Sequence, residues 1–177
     1  MLAPEDWVPL AAVARPHGVR GEVRLKVYNE DSDILLSQEE VLVKLASGES
    51  HEVSIDTARR ANEAILLKLF SVDNRERAEE LRGAEICVQR SNFPALQDGE
   101  FYACDVKGAR AELLDGTLVG IVRDMVEYPA AVVLVVHGDL GVIELPLTDA
   151  YVQRVDAVAG LVSVVSIEGL EPTKARA

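Results

Sequence analysis

Aromatic residues are scarce in this chain of 177 residues: three Phe, four Tyr and one Trp. That scarcity makes the adjacent Phe101 and Tyr102 conspicuous. Cysteine is scarcer still. Cys87 and Cys104 stand in no metal-binding spacing, and two cysteines do not make a disulfide framework, so reduced thiols are expected. Long apolar runs are missing as well. The longest, Ala130 to Val136, is far too short to cross a bilayer as a helix, so no membrane association is expected. The first residues, Met-Leu-Ala-Pro-Glu-Asp-Trp, hold no basic n-region and no apolar h-region, which points to a cytoplasmic location.

Catalytic signatures are also absent. The chain has no His-Glu-x-x-His, no Cys-x-x-Cys, no phosphate loop with its lysine and no Gly-x-Ser-x-Gly elbow. His17, His51 and His137 are widely separated, and Cys104 beside Asp105 has no nearby histidine to serve as a base. No catalytic residue, metal site or cofactor is therefore expected, and the chain is read as a monomeric binding protein rather than an enzyme.

Positive charge is the last shortage. Eighteen Lys and Arg face 30 Asp and Glu, a formal net charge of −12. Divided at Phe93, the first part holds 12 basic and 17 acidic residues and the second 6 and 13, so neither half is basic. A chain this acidic lacks a general electrostatic footprint for nucleic acid and suits a basic protein partner.

What is present is alternation. Apolar and polar residues alternate over Glu22–Tyr28, with Val23, Leu25 and Val27 on one face. Val41–Leu45, His51–Ala58, Ala64–Phe70 and Glu85–Gln89 are further strand candidates, and Leu10–Ala14 is one that should stop at Arg15-Pro16. Asp73-Asn74-Arg75-Glu76 has capping-box spacing, and it opens the most secure helix, which Gly83 ends. Pro94 followed by Gln97-Asp98-Gly99 marks a linker at 94–99, between a domain at 1–93 and one at 100–170. Beyond the linker, Glu100–Val106 suggests a helical turn, and Asp115-Gly116 joins two strands as a hairpin. Ala130–His137, Gly141–Pro146 and Leu161–Ile167 complete the strands, and residues 171–177 form a polar, disordered tail. Many short strands with frequent turns indicate an all-β protein built from small barrels or sandwiches.

Two features carry functional weight. Arg15-Pro16-His17-Gly18-Val19-Arg20-Gly21-Glu22-Val23-Arg24-Leu25-Lys26 reverses the prevailing charge, with four basic residues and one Glu. Its glycines would let the backbone approach a partner closely. The alternative, a hairpin with solvated charges, stays open. The Phe101–Tyr102 pair is either a binding anchor or packing between domains, and adjacent residues point different ways, so at least one ring should lie at a surface or a seam.

The order of motifs resembles the RimM family of ribosome maturation factors. The pieces that carry it are His-Gly-Val-Arg-Gly-Glu-Val at 17–23, Asn-Arg-Glu-Arg-Ala-Glu-Glu-Leu-Arg-Gly at 74–83 and Gly-Glu-Phe-Tyr-Ala-Cys-Asp-Val-Lys-Gly at 99–108. Asp-Gly-Thr-Leu-Val-Gly-Ile-Val at 115–122, Val-Leu-Val-Val at 133–136, Ile-Glu-Leu-Pro-Leu at 143–147 and Glu-Gly-Leu at 168–170 follow in order. The resemblance implies two β-barrels, an N-terminal one similar to that of translation factors and a C-terminal PRC-type barrel. It implies a non-enzymatic factor that binds ribosomal protein S-nineteen and supports maturation of the head of the small ribosomal subunit and processing of its 16S rRNA. The family's aromatic pair falls on Phe101 and Tyr102, as partner-binding residues. Arg15, His17, Arg20, Arg24 and Lys26 are the candidates for contact with RNA or the ribosome, and a direct RNA-binding module using that stretch is the alternative function. The chain departs from the family's pattern at Phe101, where Tyr is common, at Tyr128-Pro129-Ala130-Ala131-Val132, and at Leu147 in place of a common Phe.

Overall fold

The computed structural model describes residues 2–62, 64–97 and 100–174. The chain divides into two compact units, one of residues 3–94 and one formed from Ala95 onward. Of the sequence-defined linker, Asp98 and Gly99 lie outside the described residues, as do Ala175, Arg176 and Ala177 of the tail.

The first unit contains β1 (Trp7–His17), β2 (Glu22–Val27), β3 (Glu40–Lys44), β4 (Ser50–Ala61), β5 (Ala64–Leu69) and β6 (Glu85–Gln89), with a short helix α1 (Arg75–Glu80). Antiparallel pairing runs β1-β2-β5-β4-β3-β6 and returns from β6 to β1, a closed barrel. Alternation decides the faces. Val23, Leu25 and Val27 of β2 enter the core, as do Val41 and Val43 of β3. In β5, Ala64, Ile65, Leu66, Leu67 and Leu69 are all buried, so both of its faces are covered. Each such leucine contributes about 1.5–3 kcal/mol through burial.

β1 does not stop at Arg15-Pro16; it continues to His17. Its first part pairs with β6 up to Ala12, and its last part pairs with β2 as far as His17. Pro9 pairs only toward β6 and Pro16 only toward β2, so each proline occupies a stretch with a single partner strand, where a missing N–H is tolerated. The helix cap also differs from expectation. The Asn74 side chain, not that of Asp73, accepts the Arg77 backbone N–H at 2.9 Å, and Asp73 instead pairs with Lys68 at 3.2 Å.

The second unit contains α2 (Ala103–Val106), then β7 (Arg110–Leu113), β8 (Leu118–Tyr128), β9 (Ala131–Gly138), β10 (Gly141–Pro146), β11 (Val152–Asp156) and β12 (Leu161–Val164). They form one six-stranded sheet in the order β10-β9-β8-β7-β12-β11, antiparallel except for the parallel pair β7–β12. Ala111, Val122, Leu134, Val136, Ile143, Leu145, Val162 and Val164 fill its core, with Val106 from α2. Asp115-Gly116 turns the β7–β8 hairpin, where the Asp115 carboxylate accepts the Thr117 N–H at 2.9 Å. The stretch from Tyr128 to Val132, where the chain departs from the family's pattern, is a tight hairpin, with Tyr128 paired to Ala131 across Pro129-Ala130.

The expectation of a disordered tail fails at Thr173. Its N–H and carbonyl exchange two 2.8 Å hydrogen bonds with Val142, on the outer edge of β10. On that edge a glutamate follows at position 144 and a proline at 146, both of which discourage further strand pairing.

Gly21 sets the path of the basic loop. It has φ +83°, and a Cβ there would lie 1.8 Å from the Val72 carbonyl oxygen. Gly18 has φ +65° and open space around it. Gly21→Ala should therefore destabilise the protein by at least about 2 kcal/mol more than Gly18→Ala, since the first adds a backbone clash to the strain of a positive φ that both share. Chemical denaturation of the two variants, followed by circular dichroism, checks the ranking.

Candidate functional surfaces

The basic stretch folds as the end of β1, a glycine loop and β2. Arg15, His17, Arg20 and Lys26 are exposed and Arg24 is half-buried. Pairing sets Arg15 directly opposite Arg24, His17 opposite Glu22, and Ala12 opposite Lys26. Among the described residues, Arg15, Arg20, Arg24 and Lys26 make no salt bridge. The fold adds two cations that sequence reasoning missed. The Arg59 guanidinium, 37 positions from Glu22, holds that carboxylate at 3.1 and 3.2 Å. Arg75, at the start of α1, donates to the Gly18 carbonyl at 3.5 Å. Only strand order could reveal them, because β4 and α1 reach this region through the barrel and not through sequence proximity. The loop's close approach at Gly21 is to its own chain at Val72, so of the two glycines only Gly18 has open space beside it.

The aromatic pair lies at the entry to the second unit. Both rings are half-buried, and they part company. Phe101 packs against the second unit's core and lines a groove of about 650 Å³. Tyr102 occupies the N-cap position of α2, where its carbonyl accepts the Asp105 N–H at 2.9 Å, and it is not among the groove's lining residues. Leu96, Leu147, Val152 and Val155 give the groove its apolar wall. Glu100, Asp149 and Asp156 give it carboxylates, and its one cation, Arg154, is tied to Asp156 at 2.9 Å. A groove that combines an apolar wall with several carboxylates is suited to a basic polypeptide segment.

Two further cations of the second unit are engaged, Lys107 with Asp124 at 2.7 Å and Arg110 with Glu112 at 3.2 Å. The hydrogen bond from Lys107 holds the Asp124 carboxyl below its ordinary range, against the opposing effect of burial. Burial and the neighbouring Glu85 raise the Tyr28 phenol, and burial raises the Cys87 thiol. Among the described residues, no group of three or more His, Cys, Asp or Glu comes together in a way that could hold a metal ion. No helix is long and apolar enough to cross a membrane.

These features define an all-β protein of two six-stranded sheets, cationic on one exposed strand pair and acidic around a groove. Residues 8–93 match the model of the RimM N-terminal domain. A ribosome maturation factor RimM of Sorangium cellulosum is 46% identical over 165 residues, covering 93% of this chain and 97% of that protein. Another, of Ectopseudomonas mendocina, is 34% identical over 161 residues, covering 88% and 90%. A crystal structure of a RimM protein from Pseudomonas aeruginosa shares 28% identity, with a TM-score of 0.47, covering 91% of this chain and 98% of that one. The chain belongs to the RimM family.

The Lys107–Asp124 pair fastens the segment after α2 to β8 and yields a pH test. A carboxylate held below its ordinary pKa contributes stability above the unfolded value of about 3.9 and loses it as pH falls through the lower folded value. Asp124→Asn should cost under about 1 kcal/mol at pH 7, since the pair is half exposed, and the difference from wild type should shrink as pH falls below the unfolded value of about 3.9. Urea titrations across that range check it.

Proposed function

We propose that this protein is a cytoplasmic, monomeric, non-enzymatic maturation factor of the small ribosomal subunit. In this reading it binds ribosomal protein S-nineteen through the second unit, supports maturation of the subunit head, and promotes processing of 16S rRNA. The observation that carries the reading is family membership over nearly the whole chain. Three features support the partner. Phe101 stands in the wall of an open groove, the groove's rim is acidic, and the second half of the chain has a net charge of −7. Ribosomal proteins are generally basic, and complementary charge speeds encounter and disfavours wrong partners. Arg15, His17, Arg20, Arg24 and Lys26 would meet ribosomal RNA while the second unit holds the protein.

A direct RNA-binding module acting without S-nineteen is the second reading. The arginines of β1 and β2, which make no salt bridge among the described residues, favour it.

Purified S-nineteen, titrated against the full chain and against Phe101→Ala/Tyr102→Ala, separates the readings. An aromatic hot spot typically contributes about 2 kcal/mol or more, so the double variant should lose at least roughly thirtyfold in affinity. Its thermal transition must stay near that of wild type for the loss to belong to the interface. Undiminished affinity in a folded double variant removes the aromatic pair from the site. Failure of wild type to bind S-nineteen at all removes this reading in favour of the second.

A further inference from the structure

The barrel's pairing assembles a surface that no single stretch of sequence displays. Arg15 lies opposite Arg24, Arg24 opposite Leu66, and Leu66 opposite Arg59. Directly opposed residues share a face, so one row across β1, β2, β5 and β4 reads Arg-Arg-Leu-Arg. At about 4.8 Å between strands, it spans roughly 14 Å. Lys26 stands one pleat along β2 from this row, opposite Ala12. The four strand segments involved, 12–17, 22–27, 57–61 and 64–68, hold six Lys and Arg and one carboxylate, whereas acids outnumber bases across the whole chain.

That one carboxylate, Glu22, is held by Arg59. Arg60 and Lys68 are engaged by Asp33 and Asp73. Arg15, Arg24 and Lys26 keep no ion pair among the described residues. Leu66 shares the outward face yet is only 2% exposed.

Like charges directly opposite each other weaken a sheet. Among the described residues no carboxylate pairs with Arg15 or Arg24, so an anionic ligand seated there would relieve their repulsion. We propose that this row is a contact for the phosphate backbone of ribosomal RNA, with Arg59 contributing both as a cation and by neutralising Glu22. The proposal rests on the small-subunit reading above and adds to it the residue set, including Arg59, and the phosphodiester as its ligand. One observation favours RNA over an acidic protein: the row presents no exposed large apolar side chain of the kind that anchors protein interfaces.

The test uses the full chain, a transcript of the small-subunit rRNA head, and purified S-nineteen. Each phosphate contact to single-stranded RNA contributes about 0.7 to the slope of log affinity against log salt, so removing three lowers it by about 2. Arg15→Gln/Arg24→Gln/Arg59→Gln should therefore lose roughly fifteenfold less affinity than wild type between about 50 and 200 mM salt. Its binding to S-nineteen should be unchanged. Lys44→Gln/Arg82→Gln/Arg123→Gln removes the same charge elsewhere and should keep the wild-type slope. An unaltered slope in the row variant, or an equal drop in the control, overturns the proposal. So does a wild-type chain that holds S-nineteen but not the transcript, and in that case the small-subunit reading stands. A wild-type chain that binds neither removes both.

Discussion

The first unit depends on β1 changing partners partway along its length. Its early residues hydrogen-bond to β6 and its later ones to β2, and these two seams close the ring. A strand can shift register along each seam it forms. β1 does so between Pro9 and Ala11 on one side and between Val13 and Arg15 on the other. The second shift brings Arg15 level with Arg24. The opposed arginines are thus a consequence of that bulge as well as of composition. Bulges of this kind commonly re-aim side chains near functional sites.

The loop after β1 is bound by a second constraint. Gly21 passes so close to Val72 that no side chain fits, and the Lys68 ammonium donates to the same Val72 carbonyl. The far end of β5 and the approach to α1 therefore lock the turn from below. Arg75 reaches the Gly18 carbonyl from the other side. The loop's cations are carried on a backbone fixed at its base, while Gly18 and Val19 face open solvent.

Local pattern revealed most of the strands, because alternation reports which face is buried. The spans of β2, β3, β5, β6 and β10 lie within a residue of where alternation and turn residues set them. Three things were illegible for physical reasons. Arg15-Pro16 was expected to end a strand, but a proline harms a strand only where both flanks are paired. The Asn74 cap was masked by Asp73, which has the same capping chemistry one residue earlier and is drawn off by Lys68. Arg59 could not be assigned to the basic surface, because its place there depends on β5 lying between β2 and β4, a fact of topology. Scarcity alone marks the aromatic pair, and the resemblance adds the class of partner expected there. The structure then adds that the two residues differ: Phe101 lines a groove and packs on the core, while Tyr102 stands at the N-cap of α2, where its backbone carbonyl accepts a hydrogen bond.

Charge is segregated by pairing more than by count. Both halves are acidic, yet in the second unit Lys107, Arg110 and Arg154 are each tied to a carboxylate, whereas β1 and β2 leave theirs untied. This matters for a protein that would work beside a polyanion. Beyond the Debye length, about 10 Å at 0.1 M salt, exposed charges are largely screened, so the net charge of −12 offers RNA no long-range attraction. Within that distance the local row is felt. A wholly basic protein would bind any RNA it met through non-specific phosphate contacts. A net-acidic chain with one cationic row gains from those contacts only once something else has brought it into place, and a basic protein partner seated in the acidic groove would supply that placement.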